Sequence, residues 1–204
     1  ADQLDGLVSN RNSICVEEPF AFPKHQDASV LLGLGERLGG VEIIETDDVT
    51  AHIEPGRLVL RYHEGAFVKD FPVTPGAPPC GEKYVTALQG CIFACSYCYL
   101  RSYLSHSAVT VLVNTPKMES DIREALDAGT VRLTTGELSD SLALDNLTGL
   151  TADILPLIEG TGAVLEARTK SSGTGLLHEI DMDLARRHLM VTWTLSPSAA
   201  IAGE

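Results

Sequence analysis

The sequence predicts an α/β protein built around a parallel β-sheet, and three observations support this fold class. From residue 83 onward, strand-like segments alternate with segments of helical periodicity, as in βαβ units. Each of these strands ends in polar residues. Three cysteines, Cys91, Cys95 and Cys98, lie together after the first of them. Because parallel sheets place binding groups at the carboxyl ends of their strands, we expect these polar residues to form one site.

The first 82 residues are predicted to form two smaller pieces ahead of this sheet. Residues 1–28 are polar, contain prolines and show little periodicity, so we expect an irregular segment. Residues 29–82 are expected to form a small α/β lead-in. Its elements are, in order, a serine-capped helix over 29–38, strands over 41–45 and 57–62, and a proline-rich linker over 71–81.

Residues 83–204 are predicted to form the parallel sheet and its helices. The helix over 115–129 has the clearest pattern, since Met118, Ile122 and Leu126 recur on one face and Gly129 follows the last turn. β-Branched and apolar residues mark the strands. The predicted strands cover 83–88, 108–114, 131–134, 163–169 and 190–195, and the other helices cover 147–158 and 176–189.

Length, charge and composition exclude several classes of protein. A chain of 204 residues is long enough for one sizeable hydrophobic core. The net charge of -13 opposes a broad nucleic-acid-binding surface, which needs clustered Lys and Arg. No apolar segment has the length of a membrane span, so we expect no membrane partner. The five cysteines, three of them clustered, suit the reducing cytoplasm better than a disulfide scaffold.

The clustered cysteines are the most informative residues of the chain. Cys91, Cys95 and Cys98 have the spacing C-x3-C-x2-C, and no cysteine follows them. A 4Fe–4S cluster normally takes four thiolates, so three thiolates leave one iron open to a substrate or cofactor. Two alternatives stay open. One is a zinc site, although the second pair of ligands that such sites use is missing; the other is three core cysteines.

This spacing resembles that of the radical S-adenosylmethionine (radical SAM) superfamily, and further motifs resemble its spore photoproduct lyase family. The motifs lie at 95–100, 139–140, 144–148, 169–170 and 193–195. The resemblance runs from about residue 62 to 195 and implies a partial (β/α)6 barrel, of which this chain supplies about four of six strands. It also implies a 4Fe–4S cluster that binds S-adenosylmethionine and cleaves it reductively to a 5′-deoxyadenosyl radical.

The resemblance implies roles for the residues of the cysteine loop. Cys91, Cys95 and Cys98 match the cluster ligands. Tyr97 matches an aromatic residue that packs beside the adenine, and a buried core tyrosine is the alternative. Tyr99 matches a tyrosine proposed to relay hydrogen, and a packing role is the alternative.

The resemblance also implies cofactor contacts at the later strand ends. Gly136 and Glu137 match a glycine–glutamate motif whose carboxylate accepts from the cofactor's ammonium group. Lys170 matches a lysine that contacts the cofactor carboxylate, and Thr194 and Ser196 match hydroxyl positions near the ribose. A solvated turn glutamate and a surface lysine are the alternatives for Glu137 and Lys170.

One departure from the family pattern bears on the substrate. The DNA-repairing lyase carries a hydrogen-donating cysteine two residues before its Ser-Asp pair, and Glu137 stands at that position here. Asp140 and Asp145 are expected to cap helices or turns. The sequence therefore predicts a lyase-like radical SAM enzyme with an unassigned substrate. Its expected partners are S-adenosylmethionine and an electron donor such as a flavodoxin or ferredoxin, while DNA stays a candidate against the acidic charge.

Two non-catalytic alternatives also stay open. One is an incomplete chain that lacks the last barrel strands and is inactive alone, since the chain starts with Ala rather than Met and ends soon after a strand-like segment. The other alternative is a structural module that binds zinc or a cluster without using S-adenosylmethionine.

Overall fold

The structure, a computed structural model, describes the second half of the chain more completely than the first. Residues 13–17 and 42–46 are described by their backbone alone. The predicted helix over 29–38 and Ser196 lie outside the described residues. The described residues are 13–17, 42–46, 58–78, 80–93, 95–104, 108–174, 177 and 179–195.

The chain divides into two compact units, each with its own sheet. The first sheet has five strands in the order β2-β1-β3-β7-β6. β1 pairs in parallel with β2 and β3, β3 pairs in parallel with β7, and β6 pairs antiparallel with β7. Its strands are β1 (Ser13–Glu17), β2 (Glu42–Thr46), β3 (Leu58–Arg61), β6 (Leu88–Gln89) and β7 (Val109–Leu112).

The second sheet contains the predicted parallel strands except the one expected over 108–114, which is β7 of the first sheet. Its order is β10-β9-β8-β5-β4, where β5, β8, β9 and β10 run parallel and β4 pairs antiparallel with β5. This arrangement confirms the α/β class and supplies four adjacent strands of a partial barrel. The strands are β4 (Val68–Asp70), β5 (Glu82–Val85), β8 (Arg132–Thr135), β9 (Val164–Thr169) and β10 (Leu189–Trp193).

Helices connect the parallel strands and bury apolar residues. Met118 and Ile122 of the long helix α2 are buried, as predicted. Asp145 is the first residue of α3 and not an N-cap, but its side chain accepts a hydrogen bond from the Thr151 N–H in the first turn of α4 over 2.9 Å, so it has a structural role. Among the helices that the structure describes, none has the length and hydrophobicity needed to span a bilayer. The helices are α1 (Leu100–Tyr103), α2 (Thr115–Asp127), α3 (Asp145–Thr148), α4 (Leu150–Ile154) and α5 (Met182–His188), with a 3-10 turn at Leu155–Ile158.

Five elements differ from the sequence-based expectations. The strand expected over 108–114 in the parallel sheet is β7 of the first sheet. The helix expected over 176–189 begins only at Met182, and residues 179–181 are not helical.

β1 lies within the segment 1–28, for which the sequence predicts irregular structure. The single strand expected over 83–88 is two strands, β5 and β6, which belong to different sheets. The helix expected over 147–158 is divided into α3, α4 and a 3-10 turn, because Gly149 adopts a φ of 70° between the first two pieces. Short-range periodicity does not reveal such interruptions.

Candidate functional site

The three cysteines lie on a loop that follows β6 in the first unit. The loop begins at Gly90, whose φ of 84° lies in the left-handed region. A Cβ atom there would come within 2.5 Å of the Ala108 carbonyl oxygen, so the position requires glycine. In the turn that follows, the Cys98 N–H donates to the Cys95 carbonyl over 3.0 Å. This turn holds the last two cysteines next to each other and leads into α1.

The exposure of the cysteines is mixed. Cys95 is buried and Cys91 and Cys98 are partly exposed, while none of these three nor Cys80 forms a disulfide. Partial exposure argues against three ordinary core cysteines. Three thiols of different exposure on one short loop form a donor set that fits three irons of a 4Fe–4S cluster.

Within the described part of the chain, no three His, Cys, Asp or Glu side chains converge on a point where a single metal ion would be held. A zinc ion requires such convergence, because its ligands surround one centre. The thiolates of a 4Fe–4S cluster bind different irons and need not converge. The assignment of Cys91, Cys95 and Cys98 as cluster ligands stays a prediction.

The two tyrosines around Cys98 are both exposed. The exposed fraction is 53% for Tyr97 and 51% for Tyr99, so Tyr97 is not a buried core tyrosine. The Tyr99 carbonyl accepts from the N–H and the hydroxyl of Ser102, each over 3.0 Å. The Tyr99 ring meets the Tyr103 ring edge-on, with 6.1 Å between centroids. Both tyrosines therefore present their rings at the surface beside the cysteine loop.

The loop after β8 in the second unit is attached closely to the end of β9. Gly136 has a φ of 95°, and a Cβ atom there would lie 2.6 Å from the Ser141 Oγ and 2.8 Å from the Arg168 carbonyl oxygen. Ser141 makes two hydrogen bonds with the Arg168 backbone: its N–H donates over 3.0 Å and its Oγ accepts over 2.9 Å. Gly136 is thus required by close backbone approach, whatever its role toward a cofactor.

Asp140 anchors the same loop from inside the protein. Its Oδ1 accepts from the Thr169 hydroxyl over 2.6 Å and from the N–H groups of Leu142 and Ala143 over 3.1 and 2.9 Å. Its Oδ2 accepts from the Lys170 N–H over 2.6 Å. Because this carboxylate is only 6% exposed and both of its oxygens are bonded, its expected structural role is confirmed.

A network of charged side chains covers one face of the second sheet. Glu166 on β9 accepts from Arg132 at 2.5 Å, from Arg168 at 3.0 Å and from the Thr192 hydroxyl at 2.8 Å. Arg168 also donates to Glu82 at 2.5 Å. These residues share a face because side chains alternate along a strand and the parallel register aligns them.

Burial and the contacts between oppositely charged side chains shift the pKa values of this network in opposite directions. Burial raises the pKa of the Glu166 carboxyl, but hydrogen bonds from Arg168, Arg132 and Thr192 outweigh it and hold the pKa below its ordinary value. Burial likewise favours the neutral form of Arg168, but Glu166, Glu82 and Glu137 outweigh it and raise its pKa. Glu166 is therefore a carboxylate at neutral pH.

Four of the predicted cofactor-binding residues lie at the carboxyl ends of the parallel strands. Gly136 and Glu137 follow β8, Lys170 follows β9, and Thr194 follows β10. The Glu137 carboxylate is 3.8 Å from the Arg168 guanidinium and is 17% exposed, so it is not a solvated turn residue. The Thr194 N–H donates to the Thr169 carbonyl over 2.9 Å. Their contacts with a cofactor stay predictions.

Sequence reasoning missed Glu82, Arg132, Glu166 and Arg168. The available signal was charge inside strands, since three of the four interrupt the apolar segments of β8 and β9. Lys, Glu and Arg are seldom fully buried unless they are paired. Oppositely charged residues in two predicted neighbouring strands therefore indicate a buried ion-pair network.

No protein-family model matches the sequence, and no curated protein is similar to it in sequence. Solved structures do match its fold. Spore photoproduct lyase in complex with dinucleoside spore photoproduct superposes on 94% of this chain with a TM-score of 0.71 and 18% sequence identity. The chain has the fold of spore photoproduct lyase. The resemblance inferred from the cysteine spacing is thereby confirmed at the level of the fold.

Other lyase structures agree. A Cys-to-Ala mutant of the lyase matches 93% of this chain with a TM-score of 0.73 and 18% identity. A double mutant of the lyase with bound AdoMet and dinucleoside spore photoproduct matches 94% of it with a TM-score of 0.69 and 17% identity. In each case the match spans 58% of the lyase chain. This chain therefore corresponds to somewhat more than half of the lyase's length.

Proposed function

We propose that the protein is a radical SAM enzyme that binds a 4Fe–4S cluster through Cys91, Cys95 and Cys98. The observation that carries this proposal is the loop with three cysteines, none of them in a disulfide, on a chain with the lyase fold. When bound, such a cluster supplies one electron to S-adenosylmethionine, whose cleavage gives a 5′-deoxyadenosyl radical that abstracts hydrogen from a substrate. Three thiolates leave one iron for the cofactor.

The remaining residues of the proposal bind and orient the cofactor. Tyr97 offers an exposed ring for stacking on the adenine. Glu137 offers a carboxylate for the ammonium group, and Lys170 offers an ammonium group for the cofactor carboxylate. The Lys170 backbone is fixed by Asp140, which supports a defined position for its side chain.

Further residues belong to the proposal with more limited roles. Thr194 and Ser196 are assigned to the ribose, and Gly136 allows the loop to approach β9. Tyr99 is assigned to hydrogen relay, because its exposed ring lies one residue after the last cysteine.

The substrate is left open for a chemical reason. Two of the three lyase structures described above contain a dinucleoside spore photoproduct. This chain has Glu137 where the lyase family has its hydrogen-donating cysteine, and Glu137 is paired with Arg168. A carboxylate is not a hydrogen-atom donor as a thiol is, so thymine photoproduct repair does not follow from the fold. DNA is retained as a candidate substrate for the assay below.

The proposal also includes the cellular context. A flavodoxin or ferredoxin is the expected electron donor, because each S-adenosylmethionine cleavage consumes one low-potential electron. The cytoplasm is the expected location, because cluster-binding cysteines must stay reduced.

The test is anaerobic reconstitution with iron and sulfide, followed by addition of dithionite and S-adenosylmethionine and an assay for 5′-deoxyadenosine. The proposal predicts 5′-deoxyadenosine from the unsubstituted protein and none from Cys95→Ala. If a cluster forms without cleavage, the chain is inactive alone and a longer chain is tested next. If the protein retains zinc and forms no cluster, the structural-module alternative is correct.

A further inference from the structure

Tyr99 and Tyr103 contact each other at the surface of the first unit. Their ring centroids are 6.1 Å apart and the rings meet edge-on, at an interplanar angle of 65°. The backbone fixes this contact, because the Tyr103 N–H donates to the Tyr99 carbonyl over 3.0 Å and side chains four residues apart share one face of a helix. Leu100, between them in the chain, is buried and anchors the helix.

Tyr103 is the more accessible member of this pair. The exposed fraction is 51% for Tyr99 and 66% for Tyr103. A side chain that is mostly exposed gains little free energy from burial, so packing does not account for a tyrosine at 103. The pair forms a path of two phenol rings from the residue after Cys98 to the solvent.

The proposed role of Tyr99 creates a need for a reductant. A tyrosine that gives its hydroxyl hydrogen to a carbon radical becomes a phenoxyl radical, and it must be reduced before it can act again. In the lyase family a cysteine serves as the hydrogen donor, but Glu137 stands at that position here and no cysteine follows Cys98. Tyr103 is a redox-active side chain that the structure places against the Tyr99 ring.

We propose that Tyr103 reduces the phenoxyl radical of Tyr99 and connects Tyr99 to an electron donor in solution. The inference rests on the proposed hydrogen-relay role of Tyr99. In the first step, the carbon radical left on the substrate takes the hydroxyl hydrogen of Tyr99, so a C–H bond forms and an O–H bond breaks. In the second step, Tyr103 gives one electron to the Tyr99 phenoxyl radical. Tyr99 takes a proton from water, and Tyr103 releases its hydroxyl proton to water.

A third step restores Tyr103. Its phenoxyl radical takes one electron from the low-potential donor, of the flavodoxin or ferredoxin class, and one proton from water. The second step is close to thermoneutral because both partners are tyrosines, and the third is driven by the low potential of the donor. The three steps together add one electron and one proton to the substrate radical. Each turnover therefore consumes one electron in addition to the one used for S-adenosylmethionine cleavage.

The first test follows electron transfer within the full chain before cluster reconstitution. Tyr103→3-aminotyrosine introduces a side chain that is easier to oxidise than tyrosine and whose radical has its own absorption band. After oxidation by azide radicals in pulse radiolysis, oxidised Tyr99 should take an electron from position 103 in a first-order phase that does not depend on protein concentration. Adding Tyr99→Phe should remove this phase. Circular dichroism of each variant verifies folding.

Tyr84→Phe, added to the same variant, is the matched control and should leave the first-order phase unchanged. Tyr84 also belongs to an edge-on aromatic pair, with 6.5 Å between its ring centroid and that of Phe71. The control therefore removes a tyrosine hydroxyl from a similar ring contact elsewhere in the chain.

The second test uses the same variants after cluster reconstitution. The protein is reduced with dithionite, freed of dithionite and mixed with S-adenosylmethionine in deuterium oxide, without substrate. The 5′-deoxyadenosyl radical should then take the hydroxyl deuterium of Tyr99, so that 5′-deoxyadenosine carries one deuterium and the aminotyrosyl radical appears at position 103. Adding Tyr99→Phe should abolish both signals, and adding Tyr84→Phe should abolish neither.

Two results would overturn the inference. One is a first-order phase that is absent or that survives Tyr99→Phe, and the other is deuterated 5′-deoxyadenosine without a radical at position 103. If the reconstituted chain forms no 5′-deoxyadenosine, the proposed function fails, and the first test still decides whether Tyr103 reduces Tyr99.

Discussion

The cysteine loop and the charged face of the second sheet differ in how the sequence encodes them. In the loop, residue type and spacing carry the information, since Cys91, Cys95 and Cys98 predict a cluster from their positions in the chain alone. On the sheet, the information lies in register, since Glu82, Arg132, Glu166 and Arg168 meet only after three strands align. A ligand motif is local in sequence, whereas a charge network is a product of the fold.

The two regions also differ in whether they contribute mainly to stability or to chemistry. The described part of the cysteine loop is held by a few backbone hydrogen bonds and one glycine turn. The sheet face is held by several charge-assisted hydrogen bonds in a partly buried position. Substitution of the loop cysteines should therefore remove chemistry, and substitution of the paired carboxylate Glu166 should remove stability.

The largest effect is expected from Cys95→Ala. Loss of one of three thiolates should abolish cluster assembly, measured as iron content and visible absorption after reconstitution. The free energy of unfolding without the cluster should change by less than about 2 kcal/mol. Cys80→Ala, which removes an exposed cysteine outside the motif, is the control and should assemble the cluster normally. Normal cluster assembly in Cys95→Ala would show that Cys95 is not a cluster ligand.

The second effect is expected from Glu166→Gln. Removing this buried charge takes from Arg132 and Arg168 the carboxylate to which both donate, so the free energy of unfolding should fall by about 3 kcal/mol in urea titrations at pH 7. Glu159→Gln, at an exposed position, is the matched control. A loss no larger than that of the control would show that the network does not stabilise the sheet.

The same carboxyl predicts a pH dependence. In the folded protein the pKa of Glu166 lies below its ordinary value of 4.5. The ionised Glu166 carboxylate therefore stabilises the folded state fully above the unfolded pKa, and this contribution is lost as the pH falls through the folded pKa. Urea titrations between pH 7 and acid pH should therefore show that the free energy of unfolding changes less with pH in Glu166→Gln than in the unsubstituted protein. Equal changes would mean that Glu166 does not contribute.

A smaller effect is expected from Asp140→Asn. If the side-chain oxygen of the introduced asparagine accepts the hydrogen bonds that Oδ1 of Asp140 accepts, the side-chain NH₂ group takes the place of Oδ2 and faces the Lys170 N–H. Two donors then face each other, and the free energy of unfolding should fall by about 2 kcal/mol. Asp181→Asn is the control, because Asn caps helices as well as Asp does and α5 begins there. An unchanged urea midpoint in Asp140→Asn would contradict the anchoring role.

The smallest effect on stability is expected from Gly90→Ala, which should lower the free energy of unfolding by more than about 1 kcal/mol. Gly129→Ala separates its two causes, because Gly129 has a φ of 89° but open space where a Cβ would lie, whereas Gly90 has both the positive φ and the approach to Ala108. The difference between the two variants measures the close approach. If Gly90→Ala costs no more than Gly129→Ala, the loop accommodates a side chain.

The sequence was sufficient for elements whose pattern is continuous. Helix α2 and strands β8, β9 and β10 lie within about two residues of their predicted bounds, because apolar periodicity or β-branched composition extends over each of them. It failed at β5 and β6, where one apolar segment changes sheets between Val85 and Leu88. Which strand pairs with which depends on tertiary contacts that local pattern does not record.

The sequence predicted some features of the candidate site and missed others. The positions of Glu137 and Lys170 after parallel strands followed from the alternation of strands and helices. Their partners did not, because the Arg168 contact and the Asp140 anchor depend on register and on the path of a loop. Residue identity alone predicted which groups are available, but not how they are held.

The central claim is that three thiolates leave one iron open for the cofactor. It is tested most directly by electron paramagnetic resonance of the reduced, reconstituted chain, with S-adenosylmethionine labelled with ¹⁵N at its amino group. The account predicts a 4Fe–4S signal that changes on cofactor addition and shows magnetic coupling to the labelled nitrogen. A 4Fe–4S signal without any coupling or change would show that the open iron does not bind the cofactor, and would contradict the account.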